Sequence, residues 1–363
     1  MHIAIDVRFI NSGTGTYAVK LLEYLQKIDT VNTYSVLVPT KDKAYWQPTN
    51  PNFTVRTVPF TAYSFNEQLG FLRYLSALKP DLVHFGMPQQ PVLYRGKKIT
   101  TVHDLTLLNT YNSDKNWLMY HFKQLVGRFV FKDIARTNNH IIAITNNTKN
   151  EFQTYTHIND DKITTIYEAG EAHPTELKPY KDLPFTRFIM YVGQQPDYKN
   201  VRKLGEAHQL LLKTDPDLGL VLVGRMNKDT ARNKEYFEKL GYKNIHFTGY
   251  LPDPQRDWLF TQTIAYVFPS LMEGFGLPPL EAMAYGTPVI SSNASCMPEV
   301  LGDAAVYFNP HSATEMARVI ATTIHNPELL KNMVQKGHTQ VKKYSWEHMA
   351  RETHALYEQV LRS

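Results

Sequence analysis

Short apolar runs rich in β-branched residues alternate with stretches of helical period along most of the chain. HIAIDV (2–7) leads into TYAVKLLEYLQKI (16–28), and YSVLVP (34–39), DLVHFG (81–86), KKITTVHDL (97–105) and HIIAIT (140–145) follow. Such alternation predicts a parallel sheet with helices on both faces. The scheme restarts after residue 186 with FIMYVG (188–193), GLVLVG (219–224), NIHFTGY (244–250), IAYVFPS (264–270) and TPVISS (287–292). Between the two series lies HPTELKPYKDLPFT (173–186), rich in proline and charge and without period, which reads as a linker. The last stretch, SWEHMARETHALYEQVL (345–361), opens on a serine suited to an N-cap with a glutamate close behind, and predicts a terminal helix. The fold class expected is therefore α/β: two doubly wound, Rossmann-like domains, 1–172 and 187–344, joined by 173–186 and closed by a helix over 345–363. Their facing strand ends would form a cleft, the usual ligand site of such sheets.

Length agrees, since 363 residues exceed what one hydrophobic core usually supports. A formal charge of +5 is modest for this size. It points to neither nucleic acid nor membrane, and it suits an anionic substrate. The lone Cys296 excludes an internal disulfide framework and fits a reducing compartment. No basic leader with an apolar core opens the chain, and no apolar run nears the roughly 18 residues that span a bilayer. A cytoplasmic protein is expected.

Two stretches carry candidate chemistry. In SGTGTYAVKLLEYL (12–25), Gly13, Gly15 and Ala18 outline the G-x-G-x-x-A dinucleotide pattern. NAD binding further needs a tight strand-to-helix turn and an acidic residue ending the second strand. Here RFINS (8–12) intervenes and YSVLVPTK ends in Pro39, Thr40 and Lys41, leaving Asp42 as the one late candidate. The second stretch is PSLMEGFGLPPLEAMAYGTPVISSNASCMPE (269–299). An apolar strand ends in a loop of Glu273, Gly274, Phe275, Gly276 and Leu277, and Pro278 and Pro279 predict a helix starting near 279, with Gly286 at its C-terminal cap. Loop and first-turn N–H groups, together with the helix dipole, make an anion site suited to a diphosphate. Glu281 would stand beside a nucleotide bound there, where a carboxylate can accept both the 2′ and 3′ hydroxyls of a ribose. Glu273, on the loop, could meet the group beyond the diphosphate.

This segment resembles the donor-site signature of retaining glycosyltransferases of family four, a glutamate, seven residues and a second glutamate, here Glu273 and Glu281. MPEVLGDAA (297–305) continues the likeness. FTGYLPD (247–253) is similar to the family's base-side loop, TVHDL (101–105) to its acceptor-side strand end, and the last helix to one that crosses back onto the first domain. The resemblance implies the GT-B fold. It further implies that Glu273 contacts the transferred sugar, Glu281 binds the ribose, and Gly274, Phe275, Gly276 and Leu277 line sugar and phosphates through backbone N–H groups. Lys199, in YVGQQPDYKN (191–200), keeps the position of a diphosphate-binding lysine. The family's neighbouring arginine is absent, with Gln194, Gln195 and Tyr198 in its surroundings, and Arg225 in LVGRMN (222–227) is the candidate to compensate. His103, followed by Asp104, corresponds to a histidine facing the reacting sugar. GTGTY (13–17) resembles a first-domain loop that approaches the donor diphosphate, so Gly13 and Gly15 are assigned to a nucleotide sugar and not to NAD, with Thr16 where arginine is common.

The activity so implied is transfer of a hexosyl group, mannose favoured, from a GDP- or UDP-linked donor to a glycan or lipid-linked acceptor in surface glycan assembly, with retained anomeric configuration. No cofactor, no metal and no nucleic acid is expected: no His/Cys cluster has ligand spacing, and the resemblance implies that the helix and Lys199 do the work of a metal. A GT-B epimerase acting on nucleotide sugars and a catalytically impaired binding protein stay open. KNWLMYHFKQLVGRFVFKDIAR (115–136) mixes Lys115, Lys123, Arg128, Lys132 and Arg136 with Trp117, Phe122, Phe129 and Phe131. It could lie on an anionic inner-membrane face or serve as an ordinary domain helix.

Overall fold

A computed structural model describes residues 1–61, 64–109, 117–173 and 176–363, with the side chains at 107, 109 and 117–123 outside the description. The chain divides into two compact units, Met1–Glu168 with Ser345–Ser363, and Ala169–Tyr344.

The first unit holds β1 (His2–Asp6), β2 (Thr33–Pro39), β3 (Phe53–Val58), β4 (Leu82–Phe85), β5 (Lys98–Val102), β6 (His140–Ala143) and β7 (Ile163–Thr165). All pair in parallel in the order β3-β2-β1-β4-β5-β6-β7. Its helices are α1 (Gly15–Ile28), α2 (Leu72–Leu78), α3 (Thr106–Asn109), α4 (Trp117–Thr137) and α5 (Asn146–Thr156). β4, β5 and β6 are buried at every position, so none shows the alternation of a strand with one solvated face. The strand order reverses between β1 and β4, and ligands of such sheets sit beyond the strand ends at that point.

The second unit holds β8 (Phe188–Val192), β9 (Gly219–Val223), β10 (Ile245–Gly249), β11 (Ala265–Phe268), β12 (Val289–Ser292) and β13 (Ala305–Phe308). These too are parallel, in the order β10-β9-β8-β11-β12-β13, with the reversal between β8 and β11. Around them lie α6 (Val201–Leu211), α7 (Lys228–Lys239), α8 (Asp253–Gln262), α9 (Leu277–Ala284), α10 (Met297–Leu301), α11 (Ala313–Ile324) and α12 (Pro327–Val341).

The final helix, α13 (Trp346–Arg362), belongs to the first unit. The Ser345 hydroxyl accepts the His348 N–H at 3.3 Å and starts it. Trp346, Met349, Ala350, Thr353, Leu356, Tyr357 and Val360 form its buried stripe at helical spacing. Among the described residues no helix is long and apolar enough to cross a membrane.

Candidate active site

β8 and β11 are neighbours at the reversal of the second sheet, so the loops that follow them meet. Asn200, in the left-handed region at φ 58°, ties the two together. Its Nδ2 donates to the carbonyls of Pro269 (3.1 Å) and Pro310 (2.8 Å), and the Leu271 N–H donates to the Tyr198 carbonyl at 2.8 Å. Lys199 Nζ thereby comes 2.6 Å from Glu273 Oε1, with both side chains largely buried. Burial opposes the lysine's charge, but the Glu273 carboxylate overrides it and holds the Lys199 pKa above the ordinary lysine value. The rings of Tyr198 and Phe268, 5.3 and 5.6 Å from the ammonium, add cation–π attraction. Glu273 is fixed through its backbone. Its N–H donates to Ser295 Oγ (3.3 Å), and its carbonyl accepts from the same hydroxyl at 2.8 Å. Lys199 and Glu273 are thus one buried ion pair, where the sequence suggested two separate ligand contacts.

The loop beyond Glu273 leads into α9, which starts at Leu277, two residues earlier than expected. Proline's fixed φ suits the first helical turn, so Pro278 and Pro279 lie inside the helix and do not delay it. They also carry no N–H. The expectation of several first-turn donors is corrected accordingly: α9 contributes the N–H groups of Gly276 and Leu277, which have no intrahelical acceptor. Gly276 sits at φ 90°, and a β-carbon on it would lie 2.5 Å from the Met297 methyl. The Phe275 ring is buried edge-on against Tyr344 at 5.4 Å, so this residue can offer a ligand only its backbone. Gly286, at φ 75°, follows the C-cap Tyr285.

Three neighbouring strands end in or run straight into glycine, Gly193 after β8, Gly224 after β9 and Gly249 at the end of β10. The Gly193 N–H donates to the Val223 carbonyl (2.9 Å), the Gly224 N–H to the Gly249 carbonyl (3.2 Å), and a β-carbon on Gly224 would lie 2.4 Å from the Gly193 oxygen. The ends of β8, β9 and β10 therefore present bare backbone, over which a ligand can approach closely. Sequence reasoning missed this, although the signal stood in the runs YVG, LVG and FTG.

Two family models together cover most of the chain: Glycosyltransferase Family 4 over residues 11–169 and Glycosyl transferases group 1 over residues 180–340. The chain belongs to the group 1 glycosyltransferases. Among curated relatives it is similar to O-antigen chain mannosyltransferase B of Escherichia coli, 27% identical over 72% of this chain and 70% of the relative. It is 25% identical to the O-antigen chain mannosyltransferase RfbU of Salmonella typhimurium, over 94% and 95% of the two chains. The serotype-specific mannosyltransferase WbdA of Escherichia coli is 30% identical over 70% of this chain, which spans only 32% of that longer protein. In fold it resembles sucrose-phosphate synthase from Thermosynechococcus elongatus (TM-score 0.79, 18% identity, 100% and 99% of the chains covered). It also resembles Anabaena HepE, crystallised with UDP-glucose (TM-score 0.76, 15% identity, 99% and 100% covered). The architecture of this glycosyltransferase is GT-B.

On α9 of the glycosyltransferase, Glu281 is half-buried, and that burial pushes its carboxyl above the ordinary glutamate range against the pull of Arg256 and His173. Arg256 lies on α8, donating from Nε (2.9 Å) and Nη2 (2.7 Å) to Asp257 Oδ1 and from Nη1 (2.8 Å) to Asp253. Asp257, fully buried, also accepts the Tyr285 hydroxyl at 2.8 Å. Burial alone would raise the Asp257 pKa, yet its bonds to His173, Arg256 and Tyr285 hold it below the usual range. The sequence reading passed over this cluster, whose signal was Asp253, Arg256 and Asp257 at helical spacing, beginning at the last residue of FTGYLPD. Arg225 is exposed, and its guanidinium stacks 5.3 Å from the Tyr250 ring instead of joining Lys199 and Glu273. Gln195 is buried against Asn233, Gln194 is exposed, and Tyr198 gives its ring to Lys199.

In the first unit of the glycosyltransferase, His103 follows β5 and is buried. Its Nδ1 bonds Glu168 Oε1 (3.1 Å), and its Nε2 bonds the Gly86 carbonyl (2.9 Å). Both ring nitrogens are committed inside the unit, which corrects the expectation that the imidazole is turned toward a sugar. Gly15 opens α1, and a β-carbon there would fall 1.9 Å from the Ile10 carbonyl oxygen, whereas Gly13 has open space around it. Of the 115–136 segment, residues 115–116 and the side chains of 117–123 lie outside the described residues. Within the rest, Phe131 is core and Phe129 is exposed, while Arg128 and Lys132 line a cavity of about 730 Å³ with Asn147, Asn150 and Thr154. Among the described residues, no group of three or more His, Cys, Asp or Glu could hold a metal.

Proposed function

We propose that this glycosyltransferase moves a hexosyl group, mannose favoured, from a nucleoside-diphosphate sugar to an acceptor hydroxyl in glycan assembly, with retention of anomeric configuration. One observation carries the reading: the buried Lys199–Glu273 pair at the sheet's reversal point, next to glycine-ended strands and ahead of the helix bearing Glu281. The relatives named as O-antigen mannosyltransferases support glycan assembly and mannose, and HepE, crystallised with UDP-glucose, supports a nucleotide-sugar donor.

In the proposed mechanism the anomeric carbon–oxygen bond to the diphosphate breaks on the same sugar face at which the acceptor oxygen bonds. The leaving phosphate takes the acceptor proton. Bound sugar hydroxyls donate to Glu273 and loosen its hold on Lys199, whose ammonium then stabilises charge growing on the departing diphosphate. That interaction strengthens in the transition state, which is what lowers the barrier. The N–H groups of Gly276 and Leu277 act alongside it, and no metal is needed.

The test is incubation with GDP-mannose, UDP-glucose and related donors while following nucleoside diphosphate release with and without acceptor, in buffer and in EDTA. Acceptor-dependent release unaffected by EDTA, with product of the donor's anomeric configuration by NMR, is expected. Conversion of the donor without release would indicate an epimerase, and binding without either reaction an impaired protein. Glu273→Ala should abolish transfer with nucleotide binding largely kept, and wild-type turnover in that variant would refute the assignment.

A further inference from the structure

Residues Ala169–His173 open the second unit and run along α9. Gly170 packs on its first turn: a β-carbon there would lie 2.3 Å from Leu280 Cβ and 3.1 Å from the Glu281 nitrogen. Three residues later the His173 N–H donates to the Tyr285 hydroxyl at 2.8 Å, at the other end of the helix. The strip thus touches α9 both at the turn bearing Glu281 and at its C-cap.

The imidazole faces two incompatible partners. Nδ1 lies 3.2 Å from Asp257 Oδ2, which only accepts while ionised, and 3.2 Å from Arg256 Nη2, which only donates. With a proton on Nδ1 the ring donates to Asp257; without it the ring accepts from Arg256. Arg256 and Asp257 from α8, and Glu281 and the Tyr285 hydroxyl from α9 and its cap, are the charged and titratable groups around it, and Asp253 is bonded in turn to Arg256. The bond to Asp257 raises the His173 pKa above its ordinary 6.5, against the lowering effect of burial.

We propose that His173 is a positioning residue that couples nucleotide affinity to pH through Glu281, its imidazolium form adding a second cation beside Arg256 to balance that carboxylate. This rests on the reading that Glu281 receives the ribose of a nucleoside diphosphate. Such a ligand is itself an anion, so both ligand and carboxylate gain from a charged His173. Binding is tighter below the His173 pKa and weakens as pH rises through it. By linkage, the bound nucleotide raises that pKa.

Calorimetric titration of the full chain with UDP and with GDP between pH 6 and 8.5 tests this, on wild type, His173→Gln and Glu281→Gln, with the His173 ring proton followed by NMR. The nucleotide's terminal phosphate also titrates near pH 6, so the readout is the difference between wild type and His173→Gln. That variant keeps the backbone N–H to Tyr285. Wild-type affinity is expected to fall about threefold to tenfold more across the range than that of His173→Gln, as for one charge at intermediate distance and screening. The His173 pKa is expected to rise on nucleotide binding. Parallel profiles, or a His173 pKa unmoved by nucleotide, overturn the proposal while weakened binding in Glu281→Gln leaves the ribose reading standing. Wild-type affinity in Glu281→Gln overturns the ribose reading itself.

Discussion

Lys199 and Glu273 depend on each other's charge. With only 18% and 11% of their side chains exposed, each is costly to leave alone. Removing one partner of such a pair strands the other, a loss of about 3–5 kcal/mol when burial is complete and less here. Lys199→Met and Glu273→Gln are each expected to destabilise the second unit by roughly 1–3 kcal/mol, and the double variant by less than their sum. Additive effects in urea denaturation would show the two side chains to be uncoupled. His103 makes a second residue-scale case. Its two ring nitrogens face the Glu168 carboxylate and the Gly86 carbonyl, both acceptors, so the ring is held as imidazolium. Burial works against that charge, but Glu168 holds the pKa above 6.5. Because the folded pKa exceeds the unfolded one, this contribution is complete below pH 6.5 and disappears as pH rises through the folded value. Melting temperature of the first unit should therefore carry a component that declines on the alkaline side, and His103→Gln should remove it. An unchanged profile in that variant would mean that the ring is neutral.

At the scale of elements, the glycines of the first loop separate by mechanism. Gly15→Ala drives a methyl into the Ile10 carbonyl, 1.9 Å away, and should destabilise the first unit by more than about 3 kcal/mol. Gly13→Ala meets nothing within 4 Å and should leave the melt within about 0.5 kcal/mol of wild type. Any loss of turnover in Gly13→Ala would then report on ligand approach. Much of the architecture was legible because inner strands such as β8, β9 and β11 are buried on both faces and read as nearly unbroken apolar runs. The strands that went unread, β3, β7 and β13, all lie at sheet edges. β3 breaks its apolar residues with Thr54, Arg56 and Thr57, and β7 is three residues long, so neither makes an apolar run; β13 does make one, AVYF, but only four residues long. The site divides in a similar way. Glu273, Glu281 and the glycine loop share one short segment and could be seen together. The Lys199–Glu273 bond could not, because it depends on β8 lying beside β11, which β9 and β10 separate in sequence. The Asp257 cluster was hidden for the same reason, being assembled from α8, the C-cap of α9 and residue 173.

For the whole molecule, the last nineteen residues are the informative deletion, because α13 packs on the unit that the chain left at Glu168. Trp346, Met349, Leu356, Tyr357 and Val360 are buried there. At about 1.5–3 kcal/mol for each large side chain, their burial amounts to on the order of 10 kcal/mol as an upper figure. That is comparable with the whole stability of an ordinary domain, about 5–15 kcal/mol. Polar ties add to it. Asp29, just after α1, accepts from Asn32, Tyr34 and His354; although burial would raise its pKa, the bonds from Tyr34, Asn32 and the Val31 N–H hold the carboxyl far below the usual range. His84 Nδ1 bonds the Tyr357 hydroxyl at 2.6 Å while burial lowers the ring's pKa to about 3, so it stays neutral. Its folded pKa lies below the unfolded value, so stability is full above pH 6.5 and falls as the pH drops toward 3. Deleting 345–363 should therefore abolish the calorimetric transition of the first unit and leave that of the second, which has its own six-stranded sheet and all of Lys199, Glu273 and Glu281. Tyr357→Phe is the milder form of the same experiment. It leaves His84 Nδ1 without its partner and should cost about 1–3 kcal/mol in the first unit alone. If the shortened chain kept both transitions at their original temperatures, α13 would be an appendage and the first sheet would be stable without it.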